Sequence, residues 1–281
     1  MKEQEIKALV SLLDDDDREV TTLVEKEIRQ FGEAIIPFLE MEYQEAGFNP
    51  KVQQKIEELI HDLQFEQVLD RIANWRNGGS MDLLEGLWAV ATYQYPDLPF
   101  EKLKYDFEQI YIEAWREFKP EMHPVDQIKT LNYVFYNTLK FGSNTKNFHS
   151  ASNSMINIVL ESRRGNPISL CCLYMLVAQK LKMPVYGVNL PNLFILTYKQ
   201  DNVQFYINVF NKGLVFMKAD IDHFVGQLNL KPTDSFYEPC TNIDIVKRTM
   251  RNLALAFERT SDSHKAKDIE KMVKTLLDLP E

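Results

Sequence analysis

The chain has 281 residues, of which 45% are hydrophobic, 11% aromatic and 26% charged, a profile that excludes a disordered, collagen-like or disulfide-dense scaffold. With 32 basic and 41 acidic side chains the formal net charge is −9, and no run of Lys and Arg offers the basic face that a phosphate backbone requires, so nucleic acid is excluded as the expected partner. No window approaches the ~18 consecutive apolar residues of a membrane span, and the opening MKEQEIKALVSLLDDDDREV lacks the apolar stretch of a signal peptide.

In chain order, Ile6, Leu9, Val10 and Leu13 recur at helical spacing until Asp14 to Asp17 interrupt. Val20, Leu23, Val24, Ile28 and Phe31 form a second stripe, ended by Gly32. A third helix begins at Ala34, with Pro37 near its start and Ile36, Leu39 and Tyr43 on its apolar face. The phrase LLDDDDREVTTLVEKEIRQFGEAIIPFLE resembles one HEAT-type helical repeat, and a single unit does not make a solenoid. The aspartate run reads as a capping loop, because a calcium loop needs spaced ligands, a central Gly and a terminal Glu.

Helical patterning continues over Val52 to Leu63 and Phe65 to Ile72, and Asn77-Gly78-Gly79-Ser80 marks the first boundary. Met81 to Tyr95, Phe100 to Phe118 and Val125 to Phe141 read as long helices. Trp88, Phe107, Tyr111, Trp115 and Phe135 lie on their apolar faces, and aromatic residues at helical spacing are expected in the core. Gly142 to Ser152 is polar and loop-like. Then Ile168 to Leu181 forms a strongly apolar helix, followed by strand-like runs Val185 to Leu190, Phe194 to Tyr198, Val203 to Phe210 and Leu214 to Met217, with a hairpin turn at Gln200-Asp201-Asn202. A long apolar helix delivering a small antiparallel sheet gives a mostly helical α+β fold. Ile243 to Arg259 and Lys265 to Leu277 form a closing helical hairpin whose I-V-K-R-x-M-R-N-L pattern is similar to a single tetratricopeptide-type unit. The expected organisation is therefore a helical segment over 1–78, an α+β domain over 79–238 and a helical hairpin over 239–281.

The segment RRGNPISLCCLYMLVAQKLKMPVYGVNLPNLFILTY, followed by FYINVFNKG, resembles the transglutaminase-like superfamily, and more closely its bacterial core-2, SirB-like branch. The resemblance covers most of residues 80–235 and is most specific between Arg163 and Gly213. It implies a papain/transglutaminase-like core in which a cysteine at the start of the buried helix, a histidine on one strand and an aspartate on the next carry out acyl transfer, the helix macrodipole lowering the thiol pKa. The corresponding motifs of active relatives look like G-x-C, P-G-H-F and Y-I-D. In this sequence they are Gly165-Asn166-Pro167, Pro191-Asn192-Leu193-Phe194 and Tyr206-Ile207-Asn208. The resemblance therefore places Pro167, Leu193 and Asn208 at the three catalytic positions. Proline has no nucleophile and leucine no basic nitrogen, so no catalytic residue is expected, and the chain reads as an inactive relative that binds or scaffolds another protein or a small ligand.

An alternative is a cysteine-dependent hydrolase or transferase using Cys171 or Cys172. Cys171 lies one turn beyond Pro167, and His149 or His223 could approach it only through the fold. A cysteine on an apolar helix is more often a packing residue. Arg163, Arg164 and Asn166 could bind an anion with the helix N-terminus, or the arginines could cap nearby carbonyls or pair Glu161. Asn189, Asn192, Asn208 and Asn211 could satisfy buried backbone groups or line a ligand pocket. The five histidines are scattered and the three cysteines, Cys171, Cys172 and Cys240, match no ligand spacing. No metal or cofactor is expected, and the sparse, odd cysteine set suits a cytoplasmic protein.

Overall fold

The computed structural model describes residues 3–47 and 49–278, which fall into two compact units, Met1–Arg71 and Ile72–Glu281. The first unit is helical. It contains α1 (Glu3–Ser11), α2 (Arg18–Gln30), α3 (Ile36–Glu45) and the first part of α4 (Pro50–Asn77). Their apolar stripes meet in one core that includes Ile6, Leu13, Ile28, Leu39, Ile56 and Leu59. Asp17 ends the aspartate run by accepting the Glu19 N–H at 2.8 Å, capping α2. The two patterns read separately over 52–72 are parts of the single helix α4.

In the second unit, α5 (Leu83–Ala91), α6 (Phe100–Glu117) and α7 (Pro124–Asn132) precede a π-helical turn at Tyr133–Thr138, where one continuous helix is expected from the sequence. A π-turn admits an extra residue and changes which side chains face inward. Here it buries Phe135 and lets Tyr136 Oη donate to the Val209 carbonyl at 2.7 Å. Trp115 departs from the expected core role and is 62% exposed. The buried face of α6 is set by Leu103, Phe107, Ile110 and Ala114, and Trp115 lies one residue, about 100° of helix rotation, beyond it.

A two-residue parallel bridge joins β1 (Gly142–Ser143) and β2 (Arg164–Gly165) on either side of α8 (Ile156–Ser162). The central helix α9 (Pro167–Lys180) is followed by β3 (Val185–Leu190), β4 (Leu193–Gln200), β5 (Val203–Asn208) and β6 (Leu214–Phe216), an antiparallel sheet in sequential order. Then come α10 (Lys218–Gln227), α11 (Asn242–Arg259) and α12 (Ser263–Leu277). The fold is α+β and mostly helical. One sheet face carries Val188, Leu190, Ile195 and Tyr206 against Ile221 and Val225 of α10. The other receives α9, whose Cys171 Sγ lies 3.6 Å from the Phe194 carbonyl. Pairing fixes this division. Leu196 opposes Ile207 and Thr197 opposes Tyr206, so residues two apart share a face and neighbours do not.

The entry to α5 illustrates how local polar contacts hold the helical layer. Asp82 accepts the N–H groups of Leu84 at 2.9 Å and Glu85 at 3.3 Å, satisfying two donors that the helix leaves open. Asp82→Ala is expected to destabilise the protein by about 1 kcal/mol and lower the melting temperature by about 2–4 °C. Calorimetry checks this, and an unchanged melting temperature would show that water replaces the cap without cost.

Candidate functional site

The start of α9 is built by a reciprocal cap. Asn166 Oδ1 accepts the Ser169 N–H at 3.0 Å, and Ser169 Oγ accepts the Asn166 N–H at 3.1 Å. A Cβ at Gly165 would lie 2.5 Å from Ser169 Oγ, so the glycine is what allows β2 to pass under the cap. Asn166 Nδ2 donates to Ser154 Oγ at 3.0 Å, tying this corner to the 3₁₀ turn Ala151–Ser154. Pro167 occupies the first helical position, where no N–H is needed. Ile168 follows it and lines the space beyond the cap.

That space is a cleft of about 200 Å³. The α9 corner supplies Asn166, Pro167 and Ile168; the β3–β4 turn supplies Asn192 and β4 supplies Phe194; α11 supplies Arg248, Asn252 and Arg259; and His149 stands on the preceding loop. A shallower groove of about 600 Å³ shares Asn192, Arg248, Asn252 and Leu255 with the cleft and adds Lys247 and Arg251. The Arg248 guanidinium donates to the Leu190 carbonyl at 2.6 Å and to Asn189 Oδ1, and lies 5.8 Å from the Phe194 ring centroid. Burial lowers its pKa from the ordinary arginine value, and the charge of Arg251 pushes the same way.

The three positions expected to form the relict triad do not converge. Pro167 lines the cleft. Leu193 packs with Val188, Leu190 and Ile195 on the α10 side of the sheet. Asn208 follows Tyr206 on that same side by strand alternation, and its Oδ1 accepts the Asn211 N–H at 3.1 Å, capping the 3₁₀ turn Val209–Asn211. The strand residue that reaches the cleft is Phe194, one position later.

The other candidates also separate. Arg163 ends α8 with φ 58° and lies over the Phe141 ring at 4.8 Å. Arg164 donates to the Lys140 carbonyl at 2.6 Å, so the pair serves backbone and ring contacts and neither lines the cleft. Asn189 orients Arg248, Asn192 sits in the turn with φ 57°, and Asn211 is exposed at the end of the 3₁₀ turn. Cys171 and Cys172 are fully buried and line no part of the cleft. Burial pushes both thiols well above the ordinary cysteine value, and Cys240 is pushed up to about 12 for the same reason. Reasoning from sequence missed Arg248, Asn252 and Arg259. Their signal is a spacing of four, three and four residues through Leu255, which places Arg248, Asn252, Leu255 and Arg259 on one helical face.

A family model described as transglutaminase-like superfamily matches residues 101–251. F-box only protein 21 of mouse is 34% identical over 108 residues, and the human protein 33% over the same length; these alignments cover 36% of this chain and 17% of the relative. The chain thus spans less than a fifth of F-box only protein 21. A UPF0162 protein of Xylella fastidiosa is 28% identical over 203 residues, covering 66% of this chain and 70% of the relative. No solved structure matches the chain significantly. No helix among the described residues is long and apolar enough to cross a membrane. With the family match running from α6 to the first half of α11, over more than half of the sequence and across the helix-on-sheet unit that forms the cleft, the chain belongs to the transglutaminase-like superfamily.

Proposed function

We propose that this chain is a catalytically silent member of the superfamily and acts as a binding or scaffold module through the cleft at the start of α9. The observation that carries the reading is the chemistry at that corner. The residue presented to the cleft where the superfamily resemblance expects a nucleophile is Pro167, which has no atom able to attack a carbonyl. The nearest thiol along the helix, Cys171, is turned into the core against the Phe194 carbonyl, and burial disfavours its thiolate. A partner protein or small ligand fits this reading; nucleic acid does not, given the net charge of −9. Three free thiols and no disulfide fit a cytoplasmic location.

The test separates this reading from a cysteine-dependent hydrolase. Iodoacetamide at neutral pH is expected to label none of the three cysteines faster than a small free thiol, and full labelling is expected only after unfolding in guanidinium. Peptide amide hydrolysis and amine transfer should stay at the buffer rate. Rapid alkylation of Cys171 or Cys172 accompanied by loss of an amidase activity would replace the binding reading with the enzymatic one.

A further inference from the structure

Although the chain as a whole is acidic, the α11 wall of the cleft and of its adjoining groove is basic. Lys247, Arg248, Arg251 and Arg259 line the two, against one carboxylate, Asp244. That carboxylate is already engaged: it accepts the Thr241 N–H at 3.0 Å and the Thr241 hydroxyl at 2.7 Å in the α11 cap. None of the four cations takes part in an ion pair among the described residues. Elsewhere on the surface, lysines and arginines find carboxylates readily, as in Lys102–Asp106 at 2.6 Å and Arg116–Glu113 at 2.6 Å. A half-buried guanidinium held by neutral carbonyl groups, with a second arginine repelling it, is an arrangement whose charge is left uncompensated by the chain itself.

The spacing adds a second constraint. Arg248 and Arg259 are eleven residues apart on one helix face, which corresponds to about 16 Å along the axis at ~1.5 Å per residue. An extended peptide covers that distance in about five residues at ~3.3 Å each. Between the two arginines the groove presents Asn252, Asn192 and the 54% exposed Leu255. Side-chain amides can pair with a peptide backbone, an exposed leucine gives apolar contact, and the planar guanidinium fork matches a carboxylate. The ~16 Å separation of the two arginines and the amide and apolar groups between them favour a chain with acidic side chains over a compact inorganic anion.

We infer that the cleft and groove along α11 bind an extended acidic peptide segment of a partner protein, with Arg248 and Arg259 each taking one carboxylate and Asn192 and Asn252 pairing with the backbone between them. This deepens the binding reading proposed above and rests on it.

The experiment uses the full chain and a set of fluorescein-labelled octapeptides in an Ala/Ser background, with two glutamates separated by two to six residues, read by fluorescence anisotropy. Peptides with a separation of four or five are expected to bind with Kd of about 10–100 µM, and to weaken at least tenfold when the glutamates are replaced by glutamine or the salt is raised to about 0.5 M. Arg251 and Arg259 are exposed and make no ion pair, so Arg251→Ala/Arg259→Ala should keep the wild-type melting temperature while losing at least tenfold in affinity; Arg248→Lys should lose a similar factor because the fork is gone. Succinate and inorganic phosphate serve as competitors and are expected to need millimolar concentrations. Absence of binding across the set, affinity indifferent to glutamate spacing, or displacement by phosphate at micromolar concentration would overturn the acidic-peptide assignment. Thiol reactivity is measured on the same preparation: slow alkylation with no peptide binding would reject this inference and leave catalytic silence standing, whereas fast alkylation would reject the silence itself.

Discussion

Gly213→Ala is expected to be strongly destabilising, by about 3–5 kcal/mol, with the melting temperature falling by about 6–20 °C. The cause is a convergence of backbone and side-chain constraints at the turn between β5 and β6. Gly213 has φ +69°, and a Cβ there would lie 2.0 Å from Asn132 Oδ1 and 2.4 Å from its Cγ. Asn132 cannot swing away freely. Its Nδ2 donates to the Gly213 carbonyl at 3.0 Å, and its Oδ1 accepts the hydroxyl of the fully buried Tyr174 at 2.8 Å. Moving it breaks both bonds and leaves Tyr174 with only the distant Ile128 carbonyl at 3.4 Å. The left-handed backbone contributes about 1–2 kcal/mol of this cost and the broken buried network the remainder. A double-mutant cycle with Asn132→Ala separates them: with the side chain already removed, the additional effect of Gly213→Ala should shrink to the backbone part alone. If the two changes are simply additive, the contact between Asn132 and Gly213 is not what holds the turn.

Much of this architecture is legible in the sequence. Ile28, Leu39, Leu103, Phe107 and Ile110 repeat at helical spacing, and each is buried in a helix. The β-branched and aromatic runs from Val185 to Phe216 form the strands, and the hairpin expected at Gln200-Asp201-Asn202 turns at Asp201-Asn202, with Gln200 paired to Val203 as the last residue of β4. The π-turn at Tyr133–Thr138 is not legible, because its signature is a hydrogen-bond register rather than a composition. Neither is α10, where Ile221 and Val225 alone are buried and a ten-residue helix carries too little periodicity to stand out.

The site illustrates a sharper limit. The resemblance points to the start of α9 and to Leu193, and on the strand it is the next residue, Phe194, that lines the cleft beside Pro167. Strand alternation sends Leu193 to one face of the sheet and Phe194 to the other. Sequence alignment compares residues, whereas the cleft is defined by faces, and a period of two turns a one-residue ambiguity into opposite surroundings. The basic wall escaped notice for a different reason. Arg248 and Arg259 lie 81 and 92 residues beyond Pro167 and are diluted by an acidic whole-chain composition, so that only tertiary packing assembles them over the α9 corner.

The same geometry leads to a second large effect, this time gained. Pro167→Cys is expected to create a thiol that reacts with iodoacetamide about a hundredfold faster at pH 7 than any native cysteine of the folded chain. The substitution should be structurally mild, since the first helical position makes no intrahelical N–H bond and the Asn166–Ser169 cap is independent of residue 167. The new sulfur would sit at the positive end of α9, in a cleft shared with Arg248 and Arg259; dipole and guanidinium charge both favour thiolate, so its apparent pKa should fall below the ordinary value of about 8.5. Measuring the alkylation rate from pH 5 to 9 reads that pKa directly, and the rate should level off at higher pH once the thiolate is fully formed. Adding Leu193→His should leave the profile unchanged, because residue 193 faces α10 across the sheet and its imidazole would not reach the cleft. A downward shift of the thiol pKa on adding that histidine would instead bring residue 193 to the α9 side, and with it the three-position arrangement that the structure separates; a Pro167→Cys thiol as slow as Cys171 would mean that the cleft does not hold the electropositive corner on which the proposed carboxylate binding rests.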